Sequence, residues 1–170
     1  MYAKYFKRVL DFLLSLIAII VLSPIFLIIA IAIKLDSKGP VFFLQERLGK
    51  NGKVFKIIKF RTMVVNAEHI GDGLKVKSEN DNRITRVGKI LRKTSLDELP
   101  QFVNVLKGEM SIIGPRPPVT YHPHKYEDYS DEQKKRFNVR PGITGLALSL
   151  IHISRAHETR RQRVCRLLLV

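Results

Sequence analysis

The stretch FLLSLIAIIVLSPIFLIIAIAI, Phe12 to Ile33, carries no charge and is interrupted only by Ser15, Ser23 and Pro24. Its length is near the roughly 20 apolar residues that cross a bilayer. A secretory h-region is shorter, so the segment is expected to remain as an anchor. Ser23-Pro24 falls at its midpoint. An interior proline removes a backbone hydrogen bond and crowds the preceding turn, so a bend is expected there. Lys4, Lys7 and Arg8 precede the segment and Lys34 and Lys38 follow it, so the cations favour neither orientation. Two readings stay open on these residues. One is a kinked transmembrane helix. The other is a re-entrant helix hairpin whose ends return to one face, with Ser23 serving the carbonyls freed by Pro24. Lys7 and Arg8 would then sit at headgroup level, in reach of a lipid phosphate, beside an interfacial belt of Tyr2, Tyr5 and Phe6.

Outside this block the chain is polar and basic. Its 170 residues leave room for one domain with an anchor. Thirty Lys and Arg against 15 acids give a formal charge of +15, which calls for an anionic partner: nucleic acid, a membrane surface or phosphorylated substrates. Cys165 is the only cysteine, so no intrachain disulfide forms and a reducing, cytoplasm-facing domain is the default.

After the turn-rich Asp36-Ser37-Lys38-Gly39-Pro40, runs from Val41 to Leu48 and from Val54 to Met63 flank Gly49-Lys50-Asn51-Gly52-Lys53, a hairpin signal. Lys59 and Arg61 alternate with Ile58, Phe60 and Thr62 and are expected on the second strand's solvated face. Glu68 to Arg83 reads as a loop. Ile84, Val87 and Leu91 then share a helical face, with Arg83, Arg86, Lys89, Arg92 and Lys93 around it, the pattern of a basic amphipathic helix. Leu99, Phe102, Val103 and Leu106 line a further helix that stops at Gly108. Ser130 to Gln133 has capping-box spacing and opens a short helical stretch through Phe137.

No Walker loop or GxGxxG is present, so a nucleotide would be held by cations, metal and turns. Asp97-Glu98 stands between the two helices. Ser95-x-x-Glu98 reads as a capping box, with both acids favoured by the helix dipole. The competing reading divides labour between the acids, one attacking phosphorus and one holding a metal. A carboxylate approaching a diphosphate meets like-charge repulsion, which arginines offset; Arg92, Arg116 and Arg140 are candidates, Arg116 being stiffened within Gly114-Pro115-Arg116-Pro117-Pro118. His122 and His124 lack a usual zinc spacing and read as loop residues.

The apolar segment with Ser23-Pro24, followed by PVFFLQERLGKNGKVFKIIKFRTM, GKILRKTSLDELPQFVNVLKGEMSIIGPRP and RPGITG, resembles monotopic phosphoglycosyl transferases of the bacterial sugar transferase type, over roughly Tyr5 to Ala147. The resemblance implies an α+β fold with an N-terminal re-entrant membrane helix hairpin and a small cytosolic domain of interfacial amphipathic helices and a β-hairpin. It divides the chain into a membrane-embedded segment, 1–36, and a catalytic domain, 37–147, which ends short of the family pattern.

The resemblance further implies transfer of a sugar 1-phosphate from a UDP-sugar to undecaprenyl phosphate, with UMP released, as the first membrane step of glycan biosynthesis such as that of an exopolysaccharide. Asp97 would be the nucleophile, forming an aspartyl-phosphosugar, and Glu98 the Mg²⁺-binding acid. Arg92, Arg116, Arg140, Lys59 and Arg61 would surround the substrate, Lys7 and Arg8 would meet the lipid phosphate, and Ser23 and Pro24 would form the bend. The expected location is the bacterial inner membrane, with the catalytic domain on the cytoplasmic face, membrane lipids as partners, no nucleic acid, and oligomer formation left open. From 148 to 170 the chain follows no family pattern and reads as an artefactual tail, which raises a truncated, inactive transferase as one alternative. A membrane-anchored basic scaffold that binds lipid or nucleic acid is the other.

Overall fold

The computed structural model describes residues 5–67, 81–120 and 126–144. Tyr2, Lys4, the stretch from Glu68 to Asn80, the His122 and His124 pair and the tail from 148 onward lie outside the described residues.

Helix α1, Phe6–Asp36, has 31 residues, about 46 Å of helix if straight. By length and composition it is apolar enough to cross a membrane. It runs on through Pro24, which has no N–H to offer the Ile20 carbonyl four residues back. The Ser23 hydroxyl donates to that same carbonyl at 2.8 Å. Only Asp11, Ser15, Ile29 and Ile33 are buried, on the stripe that faces the rest of the chain.

Both ends of α1 are fastened to one domain. At the start, Lys7 bonds to Asp11 at 3.2 Å, to the Ser111 hydroxyl and to the Ile113 carbonyl. Asp11 also accepts from the Ser111 hydroxyl at 2.7 Å and from the Ile112 N–H at 3.2 Å. At the other end Ile29 and Ile33 pack with Phe60 and Leu91. Asp36 accepts from the Val87 N–H at 3.0 Å, and Arg61 donates to the Ser37 and Lys38 carbonyls, both at 2.8 Å.

Strands β1, Phe42–Leu48, and β2, Val54–Phe60, form the expected antiparallel pair, in register from Phe42 opposite Phe60 to Leu48 opposite Val54. Asn51 (φ 55°) and Gly52 (φ 73°) take the left-handed conformations that a tight hairpin turn needs. The second strand stops at Phe60, three residues before the predicted end. Lys59 and Arg61 are therefore not side by side on a solvated face: Lys59 is mostly covered, and Arg61, past the strand end, is buried under the end of α1.

Helix α2, Arg86–Thr94, begins at Thr85, whose hydroxyl accepts from the Gly88 N–H at 3.0 Å. Gly88 is required by packing, since a Cβ there would lie 2.0 Å from the Thr62 carbonyl oxygen. Arg83 does not belong to the exposed basic face. It precedes the helix, is buried, and pairs with Asp81 at 2.7 Å; its hydrogen bonds hold the Asp81 carboxyl down to about 2. The exposed face carries Arg86, Lys89, Ile90 and Lys93.

The predicted capping box at Ser95 is not formed. Ser95 ends α2 in the left-handed conformation (φ 57°), with its N–H on the Arg92 carbonyl, so its side chain makes no cap bond to the next turn. Leu96 to Glu98 make one tight turn, and α3, Gln101–Lys107, starts after Pro100. Gly108 stops α3 with φ 86°, as its position predicts. The apolar face read from the sequence is only half-buried. Gln101, Asn104 and Val105 are the buried residues, because Asn104 completes the edge of β2: its amide donates to the Lys56 carbonyl at 2.8 Å and accepts from the Ile58 N–H at 3.0 Å.

A second, unpredicted pair is parallel: β3, Ser111–Ile113, beside β4, Gly142–Thr144. Between them α4, Asp131–Lys134, opens with the expected capping box at Ser130 and Gln133. Tyr129 and Phe137 close with Leu48 over the hairpin's far end.

Candidate active site

The turn Leu96–Glu98 projects two carboxylates between the end of α2 and the start of α3. The body of α2 supplies Arg92, β2 supplies Lys59, and the turn after β3 supplies Arg116. Lys59 Nζ lies 2.6 Å from Glu98 Oε1, and Arg116 reaches the same oxygen at 3.4 Å. Arg92 is fixed from behind by the Thr62 hydroxyl, which accepts from its Nε at 2.9 Å. The close approach of α2 at Gly88 brings Thr62 and Arg92 together.

The adjacent acids are pushed in opposite directions. Burial raises the Asp97 carboxyl, opposed by the nearby charge of Lys59 and reinforced by that of Glu98. Glu98 meets the same burial, but the charge and hydrogen bond of Lys59, with Arg116 and the Gln101 amide, outweigh it and hold the carboxyl below its ordinary value. Burial lowers the affinity of Arg92 for its proton, while the charges of Asp97 and Asp81 work against that. The result is one firmly ionised, ion-paired acid beside one with raised proton affinity, a division of roles typical of functional carboxylates.

Of the residues singled out from the sequence, Lys59, Arg92, Asp97, Glu98 and Arg116 come together. Arg140 lies elsewhere, donating to the Gly108 carbonyl at 2.9 Å beyond the end of α3. Arg8 serves the same end of α3, donating to the Val105 and Leu106 carbonyls at 2.6 and 2.9 Å, and Lys7 is held by Asp11 and Ser111. Arg61 is turned to the end of α1, and Ser23 and Pro24 sit exposed at its midpoint. Sequence reasoning gave no role to Thr62, Gln101 or Asp11. Two of these had a signal in their spacing: Gln101 follows Glu98 by three residues, and Asp11 follows Lys7 by four. Arg116 also lines a shallow cleft with Pro115, Pro117, Phe137 and Val139.

A family model described as bacterial sugar transferase matches residues 2–165. The chain belongs to the bacterial sugar transferase family. Among curated relatives, this sugar transferase is 50% identical over 142 residues to the UDP-glucose:undecaprenyl-phosphate glucose-1-phosphate transferase of Klebsiella pneumoniae, covering 84% of this chain and 30% of that one. It is 48% identical over 143 residues to the UDP-N-acetylgalactosamine-undecaprenyl-phosphate N-acetylgalactosaminephosphotransferase of Aeromonas hydrophila, covering 84% and 33%. It is 47% identical over 144 residues to the exopolysaccharide production protein PSS of Rhizobium leguminosarum bv. phaseoli, covering 83% and 72%. The chain thus spans about a third of the length of the first two relatives. Their names carry different sugars at nearly equal identity, so identity to them does not select a sugar for this sugar transferase.

Proposed function

We propose that this chain is the catalytic portion of a phosphoglycosyl transferase that moves a sugar 1-phosphate from a UDP-sugar to undecaprenyl phosphate. The observation that carries the reading is Asp97 beside an ion-paired Glu98, with Lys59, Arg92 and Arg116 gathered around them. A carboxylate oxygen of Asp97 attacks the β-phosphorus of the UDP-sugar. One O–P bond forms, the bridging P–O bond breaks, and UMP leaves with the bonding electrons. A phosphate oxygen of undecaprenyl phosphate then attacks the same phosphorus, and Asp97 departs as carboxylate. The three cations offset the like-charge repulsion of the first attack. Raised proton affinity makes Asp97 the better nucleophile of the two acids. Arg61 and Arg140 stay outside this cluster and support it through the fold.

Mg²⁺ fits the donor set. It takes one or two carboxylates together with phosphate oxygens and water, and two adjacent hard-oxygen donors are what the turn offers. Among the described residues no group of three or more His, Cys, Asp or Glu is placed to hold a metal ion, so phosphate oxygens and water would have to supply most of its ligands. Bound there, Mg²⁺ would neutralise charge on the diphosphate. Glu98, kept ionised, is the residue to hold it.

Docking of both ends of α1 on one domain supports a re-entrant path, with that domain on the cytoplasmic face of a bacterial inner membrane. Lys7 and Arg8, at the start of α1 beside the domain, stay candidates for the lipid phosphate. The test is UMP release from a panel of UDP-sugars with undecaprenyl phosphate and Mg²⁺, by membranes carrying the chain or its Asp97→Asn variant. Release confined to the unaltered chain is expected; equal release by the variant refutes the assignment.

A further inference from the structure

Phe42, Phe43 and Leu44 are consecutive in β1 and exposed by 47%, 40% and 55%. Successive strand residues face opposite sides, so this end of the hairpin is apolar and open on both faces. The far end is different, since Leu48 is covered by Tyr129 and Phe137. Contiguous exposed apolar surface of this kind marks a contact with lipid or protein.

The neighbours decide between those two. Phe42 stacks on Phe60 with ring centres 5.5 Å apart, and Phe26 of α1 meets the same ring edge-on at 5.6 Å. One ring thus joins the open end of β1 to the half of α1 whose outer residues, among them Leu27, Ile28, Ile31 and Leu35, are exposed. Lys34 and Lys38 are exposed at the junction, placed for anionic headgroups. On the other flank α2, whose Leu91 shares the Phe60 cluster, presents Ile90 among Arg86, Lys89 and Lys93. Apolar surface continuous with a lipid-facing helix and fringed by cations matches a bilayer boundary better than a protein partner.

We propose that the start of β1 is a second membrane contact, separate from α1, which seats Phe42, Phe43 and Leu44 at the boundary between headgroups and acyl chains. It rests on the reading of α1 as lipid-embedded. Phe43 is the register partner of Lys59, and Lys59 holds Glu98, so this contact sets the height of the carboxylate pair above the lipid.

The chain has no tryptophan, so a single introduced one reports on its own position. Phe43→Trp and, as a second site, Leu44→Trp are placed in phosphatidylethanolamine and phosphatidylglycerol vesicles with or without brominated acyl chains, beside Leu27→Trp on α1. Expected is a loss of emission on brominated lipid at 43 and 44 comparable to that at 27, with shielding from aqueous iodide. Bromine-insensitive, iodide-quenched emission at 43 and 44, with Leu27→Trp responding, overturns the proposal and leaves water or a protein partner at the strand. No response at any of the three sites removes the lipid-embedded reading of α1, and the second contact with it.

Discussion

The ammonium of Lys59 lies 2.6 Å from Oε1 of Glu98, joining the hairpin to the turn that carries the two acids. The pair is mostly covered, with side-chain exposures of 15% and 24%. The same lysine charge lowers the proton affinity of both Asp97 and Glu98. Lys59→Met therefore raises both, and the acid limb of the pH profile for UMP release moves to higher pH. Loss of a charge-assisted bond from this site costs about 2 kcal/mol of stability, read by chemical denaturation. An unshifted acid limb would separate Lys59 from the chemistry.

On the proposed mechanism, Asp97→Asn should abolish UMP release without weakening the fold. The folded chain raises the proton affinity of Asp97, so this group favours folding while protonated and loses that advantage as pH rises from 3.8 through its raised value. At neutral pH the amide removes an unfavourable charge, and thermal melting should show the variant at least as stable as the parent. Glu98 has the opposite sign. Its lowered value adds stability above 4.5 that is lost as pH falls through that lowered value, so Glu98→Gln should be the less stable variant at neutral pH.

Asn104→Ala strips the edge of β2 of both its partners, leaving the Ile58 N–H and the Lys56 carbonyl unpaired at a fully buried residue. A loss of about 2 to 4 kcal/mol is expected in urea unfolding. Asn104→Asp keeps the acceptor, but it sets a buried carboxylate against the Lys56 carbonyl and the Glu109 carboxylate that the amide serves at 2.8 and 2.7 Å, and should be at least as destabilising as alanine at neutral pH.

Gly88→Ala sets two effects against each other. Alanine favours a helix interior by about 1 kcal/mol, while a Cβ placed 2.0 Å from the Thr62 carbonyl oxygen forces backbone apart at a cost of about 1 to 3 kcal/mol or more. The clash wins, since the obstacle is backbone. Because Thr62 holds Arg92, UMP release should fall along with the melting temperature; a stabilised variant with full activity would contradict the packing.

The path of α1 is read by cysteine labelling after Cys165→Ser. Val9→Cys and Lys38→Cys should both react with a membrane-impermeant maleimide in inverted inner-membrane vesicles and neither in spheroplasts. One reactive from each side establishes a spanning helix instead.

The hairpin was legible because Asn51-Gly52 needs a particular backbone, and α2 because Val87 and Leu91 fall on one face. The helix stop at Gly108 and the capping box at Ser130 were legible for similar local reasons. What stayed hidden depends on contacts far along the chain. Ser95 has the spacing of a capping residue but is spent ending the previous helix, a choice fixed by how α2 packs. Asn104 looks like a polar interruption on an apolar helix until β2 is laid beside it. At the site, adjacent acids and Arg92 were readable as candidates, but nothing in the local pattern distinguishes Lys59, which reaches Glu98, from Arg61, which fastens α1. Two residues of strand length separate those fates.

Asp11 accepts from a hydroxyl 100 residues further on. During synthesis the start of α1 emerges long before Ser111 exists, so Asp11 has only Lys7, four residues before it, as a partner until the strand arrives. Full fastening of the first turns of α1 is thus a late event: a chain halted just before Ser111 already has the α3 carbonyls that Arg8 grips, but not the strand that Asp11 clasps.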